Sequence, residues 1–207
     1  MKRPLLFSRL TLPAFALLAA LCVTGDAHGQ DGKPPEVSFV ARRVKESNVE
    51  GPDVERTYFP AGRKRIAFGQ PKGCQFTFGD SSLTILLSEA GLDGEIHVSR
   101  SAFTPESDLA RDALKYRDAA TKEMPNGATN VEVQQPVMNP YPFNGWKSLG
   151  FTWTYAVGGR SMVRTVSYIN LEIGTQVMVT TLSVKKDAEQ VGKIARQFMS
   201  SWWVMKD

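Results

Sequence analysis

Cysteine and histidine are scarce in this chain, with two of each in 207 residues. Cys22 lies inside an apolar N-terminal run, so Cys74 has no partner in the body of the chain and a disulfide framework is excluded. Stability must come from packing. His97 is the only histidine beyond residue 28, and with Cys74 it offers no spacing that a zinc centre requires. Carboxylate-only calcium binding stays open, but no cofactor is implied. A strong charge of either sign is also missing. The whole chain carries a formal +4, and three of its basic residues (Lys2, Arg3, Arg9) sit at the extreme N-terminus, which leaves the remainder close to neutral. That balance argues against dedicated nucleic-acid binding. No long apolar stretch follows Val23, so no transmembrane helix is expected beyond it. There is no internal repeat, no low-complexity tract and no nucleophile-elbow pattern, and Gly158-Gly159-Arg160 lacks the spacing of a phosphate-cradling loop.

What is present begins with an export layout. Lys2, Arg3 and Arg9 precede an almost wholly apolar run from Leu10 to Val23, and the polar stretch Thr24 to Gln30 follows. That is the three-part pattern of a signal peptide. The run is shorter than the ~20 residues needed to span a bilayer, and Ala27 and Gly29 stand at the spacing signal peptidase reads. Cleavage is expected after Gly29, giving a secreted or periplasmic protein. A lipoprotein acylated on Cys22 is the competing reading, but Leu21 occupies the position where such signals require a small residue.

Residues 1–29 are therefore read as the signal, 30–36 as a flexible leader and 37–207 as a single α+β domain. Short β-prone pieces over Val37 to Phe78 are separated by Gly51-Pro52, Pro60-Ala61-Gly62 and Pro71-Lys72-Gly73, and Leu83 to Leu87 and Glu95 to Ser99 continue the series. Thr104-Pro105 reads as the opening of a helix, followed by a stripe of Leu109, Ala113, Tyr116, Ala120 and Met124. Asn130 to Gln134 reads as a strand. Phe151, Trp153, Tyr155 and Val157 alternate with smaller residues, and Gly158-Gly159 suits a two-residue hairpin. Arg160 to Ile169 and Thr175 to Val184 should complete an antiparallel meander. Asp187 is placed as the cap of a final helix whose stripe is Val191, Ile194, Ala195, Phe198 and Trp202.

This order of elements, with the helix opening at Thr104-Pro105, the Gly145-led meander and the ending Gln197-Phe198-Met199-Ser200-Ser201-Trp202, resembles the PsbP-like superfamily. That group includes photosystem II extrinsic subunits, Mog proteins and DcrB-type bacterial envelope proteins. The likeness spans roughly Pro71 to Trp203 and rests on element order rather than a motif. It implies an α/β/α sandwich around a twisted, mainly antiparallel sheet with a C-terminal helix packed on it, and a non-enzymatic accessory role. No residue-level site comes with it.

Candidate chemistry is sparse. Glu95, His97 and Ser99 alternate along one expected strand and would share a face, but neighbours at that spacing stand about 7 Å apart, too far for a nucleophile and its base. Cys74 at a strand start reads as a small buried residue. Arg42, Arg43, Lys45, Arg63, Lys64 and Arg65 read as a solvated edge. Tyr141 and Phe143 lie on a loop stiffened by Pro136, Pro140 and Pro142 and are the best candidates for a partner contact. The expected function is an exported, non-enzymatic binding or accessory protein of the bacterial envelope, with an envelope protein as partner. The alternatives are a small secreted hydrolase using His97 and a periplasmic carrier of a lipid or small molecule.

Overall fold

The computed structural model describes residues 36–46, 54–105 and 108–205. The expected signal over 1–29 and its cleavage site, residues 30–35 of the leader and the Gly51-Pro52 turn lie outside the described residues. No helix among the described residues is long and apolar enough to cross a membrane.

In chain order the strands are β1 (Arg42–Glu46), β2 (Val54–Ala61), β3 (Lys64–Phe68), β4 (Gln75–Phe78), β5 (Ser82–Leu86), β6 (Gly94–Arg100), β7 (Thr129–Val133), β8 (Val137–Met138), β9 (Lys147–Val157), β10 (Arg160–Leu171), β11 (Thr175–Val184) and β12 (Trp203–Val204). Helix α1 (Ala113–Lys122) lies between β6 and β7, and α2 (Ala188–Ser200) between β11 and β12. A four-stranded sheet runs β1-β2-β3-β12, and an eight-stranded sheet runs β4-β5-β6-β11-β10-β9-β7 with β8 also on β9. Every strand pair is antiparallel. The α+β class follows directly.

The β9-β10-β11 meander forms as the sequence predicts. Gly158 and Gly159 take φ of 55° and 75°, the positive pair that a two-residue hairpin requires and that side-chain-bearing residues resist. Alternation then divides the sheet residues between two faces. On one face Leu149, Phe151, Trp153 and Tyr155 of β9 cluster with Val166 and Tyr168 of β10 and with Tyr116 and Ala120 of α1. On the other, Leu83, Ile85, Ile96, Val98, Val177 and Val179 join Val191, Ile194, Ala195 and Phe198 of α2 and Phe59, Ile66 and Phe68 of the smaller sheet. Val191, Ile194, Ala195 and Phe198 thus form the α2 part of the stripe read from the sequence, and they tie both sheets into one core.

Three local expectations are corrected. Thr104-Pro105 does not open α1. The Asp108 carboxylate instead accepts from the Ala110 and Arg111 N–H groups at 3.0 and 3.1 Å, which holds residues 108–111 in a turn and delays the helix to Ala113. Asp187 does not cap α2 with its side chain, because that carboxylate accepts from the Asp93 N–H at 3.0 Å. Trp202 is fully buried as expected, but it follows the helix, which ends at Ser200, and Trp203 begins β12 against Ala67 of β3. That short strand closes the four-stranded sheet.

Candidate functional site

Two glycines sit where regular structure disfavours them. Gly150 lies in the middle of β9 and Gly192 in the middle of α2, each at a cost of about 0.5–1 kcal/mol relative to alanine. Both line the same cleft, of about 430 Å³, between α2 and the sheet face carried by β9, β10 and β11. Its floor is a set of hydroxyls: Thr152, Thr165, Ser167, Thr181 and Ser183. Thr152 and Thr165 pair with each other at 3.1 Å across the ladder. Ala188, Gly192 and Arg196, one turn apart along α2, form one wall with Glu189, and Val137, Pro140 and Tyr141 form the rim. A Cβ at Gly192 would meet only Arg196 Nη1 at 3.4 Å, whereas at Gly150 the space is taken up by Pro140 and Ser167, each 3.1 Å from where a Cβ would lie.

Ser167 is fully buried, and its Oγ has no hydrogen-bond partner among the described residues. Leaving a buried hydroxyl unmatched costs on the order of 1–3 kcal/mol. Arg196 stands exposed at the same end of the cleft and makes no ion pair or hydrogen bond among the described residues, with Nη1 3.4 Å from where a Gly192 Cβ would lie. Burial pushes the Tyr141 hydroxyl up to about 12, against the opposing pull of Ser167 and Arg196. Ser167 thus lies near Tyr141 without meeting hydrogen-bond geometry. A neutral phenol, an unmatched hydroxyl and an unpaired guanidinium therefore converge on one end of the cleft.

A smaller hollow of about 260 Å³ opens on the opposite sheet face beside α1, lined among others by Glu95, His97, Glu123, Arg164 and Thr180. Its one arginine is matched. Arg164, 6 % exposed, donates to Glu123 at 2.7 Å and to the Ala120 carbonyl at 3.2 Å. Glu95, His97 and Ser99 do share this face, and Ser99 pairs with Ser82 and Met178. The partner of His97 is Thr84, whose Oγ1 lies 3.1 Å from Nδ1. Thr84 stands directly opposite His97 in the β5-β6 ladder, a cross-strand neighbour of the ordinary kind.

Tyr141 and Phe143, read from the sequence as the candidate partner contact, turn inward. Tyr141 is 4 % exposed and belongs to the main core, and Phe143 is half-buried against it. The loop turns inward because its backbone is anchored. The Tyr141 N–H donates to Ser148 Oγ at 3.3 Å, and Asn144 Nδ2 donates to the Trp202 carbonyl at 2.5 Å. Asn139, Asn144 and Gly145 take the positive φ that folds the segment back. Cys74 is half-buried rather than fully so, and burial raises its thiol pKa. Of the basic group, Arg42, Arg43, Lys45, Arg63 and Lys64 are exposed, as a solvated edge requires. Among the described residues no group of three or more His, Cys, Asp or Glu could hold a metal ion.

The residues that line the cleft carry a local periodicity, although nothing in the sequence states that the two faces meet. Ala188, Gly192 and Arg196 recur at steps of four beside the apolar stripe of α2, which gives the helix a second face of two small residues and one cation. Thr152, Thr165, Thr181 and Ser183 alternate with the aromatic and aliphatic residues of the same strands.

No protein-family model matches the chain, and no curated protein matches it. Solved structures share its path loosely. The Ran-binding protein Mog1p of Saccharomyces cerevisiae is 16 % identical, with a TM-score of 0.47 over 78 % of this chain and 95 % of that one. A Pseudomonas aeruginosa protein of unknown function is 12 % identical, with a TM-score of 0.42 over 80 % and 99 %. LpqN, involved in cell envelope biogenesis of Mycobacterium tuberculosis, is 7 % identical, with a TM-score of 0.39 over 81 % and 92 %. At these identities and scores the likenesses say nothing of function.

Proposed function

We propose that this chain is an exported, non-enzymatic binding or accessory protein of the bacterial cell envelope, and that it binds in the cleft between α2 and the β9-β10-β11 face. One observation carries the reading: Arg196 and the buried Ser167 hydroxyl have no partner among the described residues and stand at the same end of a 430 Å³ cleft. A concave site with a few convergent polar groups is the usual form of a small-molecule pocket. The export layout of residues 1–29 supports the compartment, and the element order supports an α/β/α sandwich of PsbP-like type. A lipid cargo fits less well, because an apolar chain would leave Thr181 and Ser183, 7 % and 2 % exposed, dry and poorly matched.

The test is native mass spectrometry of the protein purified from the periplasm, beside a Gly192→Leu variant. The variant should fold, since a Cβ at Gly192 meets only the flexible end of Arg196 at 3.4 Å, while the longer side chain fills the cleft. A bound mass carried by the parent and absent from the folded variant supports the reading. A ligand-free parent, or a mass that the variant retains, sinks it.

A further inference from the structure

The geometry points to the chemical class of the ligand: we infer that the cleft holds a small hydroxylated carboxylate, an acid of sugar type, with its carboxylate on Arg196 and Ser167. This rests on the cleft being the binding site. The two ends of the cleft differ in charge. Arg196 and Glu189 are seven residues apart on α2, two turns or about 10 Å along the axis, and both line the cleft. Neither has a partner among the described residues. The end at Arg196 takes an anion, since a guanidinium presents a donor fork matched to carboxylate or phosphate. Ser167 Oγ can donate to the same anion and so lose its unmatched state.

Glu189 sets the limit at the other end. A second negative charge, or the double charge of a phosphate monoester, would meet repulsion there with only one cation to offset it. Between the ends lie hydroxyls in ladder rows. Gly150 and Ser167 are partners in one row, Thr152, Thr165 and Thr181 stand in the next, and Val163 and Ser183 in the one after. Rows on one face recur about every 7 Å, so the hydroxyl floor extends over roughly the length of one or two sugar rings. Hydroxyls both donate and accept, and a ligand rich in hydroxyls matches that floor. Glu189 adds an acceptor for a ligand O–H. A neutral sugar would leave Arg196 unused, and a bare inorganic anion would leave the threonine row unused.

Calorimetric titration of the parent and of Arg196→Gln with sodium glucuronate, glucose and inorganic phosphate tests this. Arg196 is exposed, so the variant should keep the parent's thermal midpoint. Glucuronate should bind the parent at least about tenfold tighter than either other probe, weaken as salt rises, and lose at least about tenfold in the variant. Glucose binding as tightly as glucuronate, phosphate binding more tightly, or glucuronate binding unchanged by Arg196→Gln would each overturn the assignment. Binding of none of the three overturns the ligand class. A co-purified mass lost in Gly192→Leu would in that case still uphold the cleft as a site, so the two failures are distinct.

Discussion

Gly150 of β9 stands opposite Ser167 of β10, and a Cβ placed on Gly150 would lie 3.1 Å from the serine Oγ and 3.1 Å from Pro140 Cγ. The glycine therefore lets Pro140 and the Ser167 hydroxyl, which has no partner among the described residues, both approach β9 closely at the cleft floor. Gly150→Ala gains β propensity but compresses both neighbours, and Pro140 has little freedom to move. The variant should lose about 1 kcal/mol, read as a lowered urea midpoint at unchanged slope. A midpoint at or above the parent's would show that the rim yields freely.

Gly192 presents the opposite case. Its φ is not in the left-handed region, and a Cβ there meets nothing closer than the mobile end of Arg196 at 3.4 Å. Gly192→Ala should stabilise the protein by about 0.5–1 kcal/mol through helix propensity and a less flexible unfolded chain. A helix that forgoes this gain while facing a cavity is consistent with selection for the space itself. A urea midpoint at or below the parent's would remove that argument.

These two positions also mark the boundary of what the sequence discloses. The meander was legible because Gly158-Gly159 and the alternation of Phe151, Trp153 and Tyr155 are local signals that agree. The α2 core stripe was legible for the same reason. The cleft was not, because Gly150 and Gly192 become neighbours only when α2 is laid across the sheet, and no local pattern states that crossing. The inward turn of Tyr141 was likewise hidden. Three prolines announce a stiff loop, but the bonds that draw it in come from Ser148 and from Trp202, 58 residues beyond Asn144. Strand β12 has two residues, too few for any period to register.

Trp202 is fully buried and touches Phe39, Phe59 and Phe198 at ring separations of 6.4, 5.4 and 5.5 Å. It bridges α2 and the smaller sheet. Trp202→Ala should cost about 3–5 kcal/mol. Trp203, 39 % exposed with the Arg56 guanidinium 5.2 Å from its ring, should cost about 1 kcal/mol or less on replacement by alanine, the scale of an exposed cation–π contact. Urea unfolding of the two variants checks the order. Equal losses would mean that β12 matters as much as the core ring.

Alkaline pH should unfold the protein partly through Tyr141. Its hydroxyl is held up to about 12 in the fold, whereas an unfolded chain releases that proton near its ordinary value of about 10. Below about pH 10 both states keep the proton, and the contribution is fully present. Between about 10 and 12 the unfolded state ionises first and is favoured, so stability falls as pH rises. A gap of about two units corresponds to about 2–3 kcal/mol lost by the upper end of that window. Tyr168, also held up to about 12 by burial, adds to the same decline. Tyr141→Phe separates the Tyr141 contribution from that of Tyr168. It keeps the ring in the core and removes only the titrating group, so its urea midpoint should fall less steeply than the parent's from pH 10 to 12. Ultraviolet titration should show one fewer late-ionising tyrosine in the variant. Parallel declines of parent and variant, or a Tyr141 that ionises near 10 in the folded protein, would mean that the hydroxyl is in contact with solvent at the cleft.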